Sequence, residues 1–150
     1  MATLEAEAPP VHKSLTHRET MWIVAGALLP VFMGSMDQTV VSSALPTIGA
    51  SLGGASHLFW VVAANLLTAT AMTPLYGKIS DIHGRRVALL LAISLFLGGS
   101  LIAALSVNLP MLILARALQG LGGGGLTSVP MTILGDVVAP KQRARYYTYF

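Results

Sequence analysis

Two formal charges stand inside long apolar runs: Asp37 in MWIVAGALLPVFMGSMDQTVVSSA and Arg116 in MLILARALQGLGGGG. A charge within hydrocarbon costs at least about 2.5–3.5 kcal/mol, so such residues face protein or a water-filled cavity and mark ion or substrate pathways. A carboxylate in that setting can be occupied reversibly by a proton or a cationic substrate, with Arg116 as the neighbouring charge that biases the exchange. The structural alternative is a fixed ion pair that orients two helices. If Trp22 marks the inner boundary, Asp37 stands about 22 Å along its helix, and Arg116 lies about 9 Å in from Pro110 on the outer side. In a core of about 30 Å both fall in the outer half at similar height, so a pair or a shared polar cavity is allowed. Gln38, Asn65 and Gln119 are polar residues in the same runs. They either line that cavity or hydrogen-bond another helix.

Directly after Arg116 and Gln119 come Gly120, Gly122, Gly123, Gly124 and Gly125. No Lys–Ser/Thr pair follows them, which excludes a phosphate-binding loop. Small residues in a membrane helix instead allow close packing, with Gly120, Gly123 and Gly124 as expected contact positions. His57 and His83 are isolated and Cys is absent, so no metal-ligand spacing and no thiolate chemistry is present in the sequence. No nucleophile–base arrangement stands out, and the chain is expected not to be an enzyme.

The elements that position these residues follow from composition. The 150 residues are 54% hydrophobic and only 10% charged, where a water-facing domain carries about 25% charged residues. About 20 apolar residues cross a bilayer, and four such runs are present: 21–45, 58–76, 87–107 and 110–138. The fold class is therefore an all-α polytopic membrane protein. Residues 1–20 read as a tail of mixed charge, and 139–150 as an amphipathic lead-in to a further helix. Lys and Arg occur in the tail, in 77–86 and in the closing segment, and not in the other two links. The positive-inside rule places those basic segments in the cytoplasm, N-terminus included. The net charge of +3 is thus topological and does not indicate a nucleic-acid partner.

The cluster GKISDIHGRR, 77–86, separates the second and third runs. It is expected as a turn outside hydrocarbon, with Gly77 and Gly84 at a tight reversal or a close helix contact. One reading is a solvated, topology-setting turn. The other is a conformational latch, in which Asp81 favours a helix N-terminus while Arg85 and Arg86 meet acidic groups or helix C-termini.

At these residues the sequence resembles the major facilitator superfamily, and within it the fourteen-span drug:proton antiporter branch. GKISDIHGRR resembles the signature between helices 2 and 3 at Gly77, Asp81, Gly84, Arg85 and Arg86, with Ile82 where the family often has a basic residue. ARALQGLGGGG resembles the helix-4 signature associated with proton coupling, at Arg116, Gln119 and Gly120. MDQTVVSSALP resembles the helix-1 signature of the fourteen-span branch, at Asp37, Thr39, Val40, Ala44, Leu45 and Pro46. Asp136, Pro140 and Arg143 sit where that branch carries a helix 4–5 loop pattern.

The resemblance implies the first four transmembrane helices of a longer transporter in the cytoplasmic (inner) membrane. Such a transporter exports small amphiphilic substrates by alternating access, with the proton gradient as energy source and no cofactor. Its partners are the lipid bilayer, protons, the substrate and the remaining helices. The surface expected to receive the Asp81 latch then lies outside this chain. Two rivals remain at this stage: a small four-helix multidrug transporter acting as a dimer, and a membrane assembly or receptor protein in which Asp37 and Arg116 are only structural.

Overall fold

The computed structural model describes residues 17–52 and 57–138. They form four helices, α1 (His17–Leu52), α2 (Leu58–His83), α3 (Arg85–Ala104) and α4 (Leu109–Val137). Most of the tail 1–20, the link 53–56 and the segment 139–150 with Pro140, Lys141, Arg143 and Arg145 lie outside the described residues.

Three helices, α1 to α3, are long and apolar enough to cross a membrane. Helix α4 spans 29 residues, but Arg116, Gln119 and the glycines dilute its apolar content. It tolerates that dilution because it is the central helix. Arg116, Gln119, Gly120, Gly122, Gly124 and Gly125 are all buried against protein. The outward faces of α1 to α3 carry large exposed apolar side chains such as Trp22, Phe32, Phe59 and Leu97, as contact with lipid requires.

Helix ends differ from the expected run ends. Pro46 was expected to close the first run, yet α1 continues through Pro30 and Pro46 to Leu52. A proline removes one N–H from the ladder, and where no water competes for the freed carbonyl the rest of the helix persists. Helix α3 stops at Ala104, three residues short of the expected end. There the chain closes on itself, with Leu105 N donating to Leu101 O and Ser106 N to Ala103 O, both at 3.2 Å. Asn108 then caps α4, its side chain accepting from Met111 N at 2.9 Å, with Pro110 in the first turn where a missing N–H costs nothing.

The 77–86 segment departs most from expectation. It is helical on both sides of a single residue, Gly84, at φ 87° and ψ 155°. A side chain there would be strained, so glycine is required. Gly77 is different: it sits within α2, and a Cβ there would meet nothing within 4 Å. The reversal expected of Gly77 and Gly84 is made at Gly84 alone, and Gly77 has no close helix contact among the described residues.

Two surfaces lock α4 in place. Tyr76, Ala92, Phe96, Leu126 and Val129 form one apolar cluster joining α2, α3 and α4, while Val61, Leu109 and Leu112 join the starts of α2 and α4. Val24 packs on Leu134 and Val138, so α1 runs antiparallel to α4. That pairing brings the middle of α1 opposite the first half of α4, which is what places Asp37 beside Arg116.

Candidate functional site

Arg116 projects from α4 toward α1 and is 1% exposed. Its Nη1 donates to Asp37 Oδ2 at 2.6 Å and also to Gln119 Oε1. Gln119 Nε2 in turn donates to Asp37 Oδ1 at 2.8 Å. The three side chains close a ring in which each touches the other two. Gln119 can complete it because it lies three residues after Arg116 on one helix face. The pair allowed by depth alone is thus formed, and Gln119 belongs to it directly.

The guanidinium is used unevenly. Nε and Nη2 of Arg116 are buried and have no partner among the described residues. Arg–carboxylate pairs frequently use the guanidinium fork in two parallel hydrogen bonds. Here one nitrogen serves both acceptors. The Asp37 side chain remains 20% exposed against 2% for Arg116, so the carboxylate is the open side of the pair.

Gln38 and Asn65 form a second, adjoining link. Gln38 Nε2 donates to Asn65 Oδ1 at 3.0 Å, and Asn65 Nδ2 donates to the Arg116 carbonyl at 3.3 Å. Of the two readings open for these residues, the structure shows both at once: they bind across helices, and with Asp37 they line a cavity of about 300 Å³ between α1, α2 and α4.

The glycines of α4 divide by face. A Cβ on Gly120 or Gly124 would run into the α2 backbone at Asn65 and Ala69, and one on Gly122 into the α3 backbone at Ala92 and Phe96. Gly123 is a correction: its nearest neighbour is the Ala69 Cβ at 4.0 Å, and it lines the cavity without close packing. Gly99 of α3, which nothing in the sequence singles out, packs directly on Gln119.

The second constellation lies at the other end of the bundle. Arg85 Nε donates to Asp136 Oδ2 at 2.8 Å, and its Nη1 donates to Asp81 Oδ1 at 2.8 Å and Ser80 Oγ at 2.6 Å. One side chain therefore ties the end of α2, the start of α3 and the end of α4. Arg85 closes on Asp136 within this chain, without waiting for a surface outside it. Arg86 is exposed and forms no ion pair among the described residues. Ser80 and Asp136 are partners of Arg85 that no sequence pattern pairs with it. Asp136 stands out in the sequence as part of the helix 4–5 loop pattern, but not as the partner of Arg85.

A profile of the Major Facilitator Superfamily matches residues 27–150. The chain belongs to this superfamily. Among similar proteins, an MFS-type transporter of Aspergillus terreus is 43% identical over 84% of this chain and 23% of its own length. The efflux pump dotC of Dothistroma septosporum is 47% identical over 81% of this chain and 21% of its own. The multidrug transporter protein MdtP of Bacillus subtilis is 35% identical over 85% and 24%. The superfamily chain described here thus spans about a fifth to a quarter of the length of the curated relatives it matches. These relatives are transporters and not enzymes, and the fold is that of a multi-pass membrane protein.

Proposed function

We propose that this chain supplies the first four spans of a longer, proton-coupled exporter of amphiphilic or cationic small molecules, of the fourteen-span drug:proton antiporter branch. Its place is the cytoplasmic membrane. The basic segments 1–20, 77–86 and 139–150 face the cytoplasm, which the distribution of Lys and Arg supports. The names of two relatives, an efflux pump and a multidrug transporter, support the export of drug-like molecules.

The observation that carries the reading is the ring of Asp37, Arg116 and Gln119 beside a cavity. A proton arriving at Asp37 removes the negative charge that Arg116 Nη1 grips. Loss of that charge leaves the buried guanidinium without its counter-charge, which biases a helix pair between two arrangements that differ by a few kcal/mol. The element that moves is α1, which is tied to the rest chiefly through this ring, the Gln38–Asn65 link and the Val24 cluster. At the opposite end Arg85 holds α2, α3 and α4 together as a latch that opens in the alternate state.

The test is efflux of a lipophilic cation by the full-length protein, comparing wild type with Asp37→Asn and Arg116→Ala. Loss of proton-driven efflux in both inserted variants supports the coupling role. Normal efflux and coupling in both removes it.

A further inference from the structure

The cavity beside Asp37 has an unusual hydrogen-bonding character. Ser35 Oγ donates to Val31 O at 2.9 Å, Thr73 Oγ1 to Ala69 O at 2.9 Å, and Thr127 Oγ1 to Gly124 O at 3.2 Å. Each of these three hydroxyls thus spends its single proton on a carbonyl of its own helix. What remains on each oxygen is a pair of lone pairs, which only accept.

The other polar groups are the Asp37 carboxylate, the Gln38 and Asn65 amides and the Thr70 hydroxyl. The Asp37 carboxylate lines the cavity while its guanidinium partner does not, and a carboxylate keeps lone pairs beyond the two hydrogen bonds it already receives. The Gln38 amide has one N–H committed to Asn65, leaving its oxygen and a second N–H. Thr70 is the one lining hydroxyl without an assigned hydrogen bond among the described residues. Leu66 and Ala69 supply apolar wall between these groups.

We propose that this cavity selects ligands by hydrogen-bond donors: a protonated amine bearing N–H, attached to a small apolar body, in preference to a quaternary ammonium of equal charge. The proposal rests on the exporter reading and narrows its substrate class. Charge alone does not distinguish the two cations, because both are attracted to Asp37. N–H groups do, because the oxygens of Ser35, Thr73 and Thr127 line the same cavity and gain nothing from an N-methyl group. A desolvated acceptor left without a donor is a loss for the methylated ligand as well. The volume of about 300 Å³ lies at the small end of ligand pockets, which fits an amine head and part of its apolar body.

The experiment is calorimetric binding to the purified full-length transporter of a lipophilic primary amine, protonated at the assay pH so that it carries three N–H donors, and of its trimethylated quaternary derivative. One charge-assisted hydrogen bond corresponds to a preference of about tenfold or more for the amine. In Thr73→Val and Thr127→Val, the amine-to-quaternary ratio should fall clearly, while Thr73→Ser should keep it. Equal binding of the two ligands by wild type overturns the donor selection and leaves the exporter reading standing. An unchanged ratio in both valine variants overturns its assignment to this cavity. Binding of neither ligand overturns this inference and the cationic-substrate reading together.

Discussion

Arg116 Nη1 meets Asp37 Oδ2 at 2.6 Å across 79 positions of sequence, joining the central helix to the first one inside the apolar part of the bundle. A buried pair of this kind contributes little net stability against an apolar replacement, yet removing one member is costly. Arg116→Ala or Asp37→Asn alone should lower the stability of the full-length protein by up to about 3–5 kcal/mol. The double variant Asp37→Asn/Arg116→Ala should be destabilised by clearly less than the sum. Thermal unfolding in detergent, arranged as a double-mutant cycle, measures the difference.

Glycines on one helix should differ sharply in tolerance. Gly120→Ala places a Cβ against the Asn65 carbonyl and Thr68 Oγ1, and overpacking of this kind costs about 1–3 kcal/mol. Gly123→Ala finds its nearest neighbour at 4.0 Å and should be neutral or gain up to about 1 kcal/mol in helix propensity. Melting temperatures of the two variants, compared side by side, check the ordering.

The cytoplasmic reversal supplies a second contrasted pair. Gly84 has φ 87°, so Gly84→Ala should cost about 1–3 kcal/mol in backbone strain. Gly77→Ala lies within α2 in open space and should be neutral or stabilising by up to about 1 kcal/mol. Equal losses at both positions would contradict the one-residue reversal.

Arg85 draws two carboxylates, Asp81 and Asp136, that are 69% and 56% exposed. Exposed pairs contribute about 0–1 kcal/mol and are screened by salt. Asp136→Asn should therefore leave the melting temperature nearly unchanged while altering the rate of the transport cycle, because what it removes is a tie between helix ends. Transport rates of full-length Asp136→Asn and wild type at low and high ionic strength read this out.

Tyr76 is fully buried among α2, α3 and α4, and its hydroxyl has no hydrogen-bond partner among the described residues. An unpaired buried hydroxyl is a cost, so Tyr76→Phe should be neutral or stabilising by about 1 kcal/mol. A clear loss of stability in a thermal melt would reveal a partner for that oxygen.

Much of the helix layout was readable because apolar runs of bilayer length leave few alternatives, and the shared depth of Asp37 and Arg116 followed from helical rise alone. What sequence could not supply is rotation about a helix axis. Gly120 and Gly124 face α2 while Gly122 faces α3 and Gly123 faces the cavity, a division that depends on where the neighbours sit. The same limit hid Asp136 as a partner of Arg85, since 51 positions separate them. The passage of α1 through Pro46 was hidden for another reason: proline marks a helix end in sequence, yet within a membrane bundle a helix can run through it. The hydroxyls of Ser35, Thr73 and Thr127 read as minor interruptions in sequence, and only their hydrogen bonds make them a wall of acceptors.

The account stands on Asp37 exchanging its bond to Arg116 for a proton. Its most direct test is proton movement driven by substrate in vesicles containing the full-length protein, with a pH gradient imposed across the membrane. Wild type should couple substrate export to proton entry, and inserted Asp37→Asn should still bind substrate but lose the gradient-driven component. Asp37→Asn that accumulates substrate against its gradient at the wild-type rate, with the same proton flux, would contradict the account.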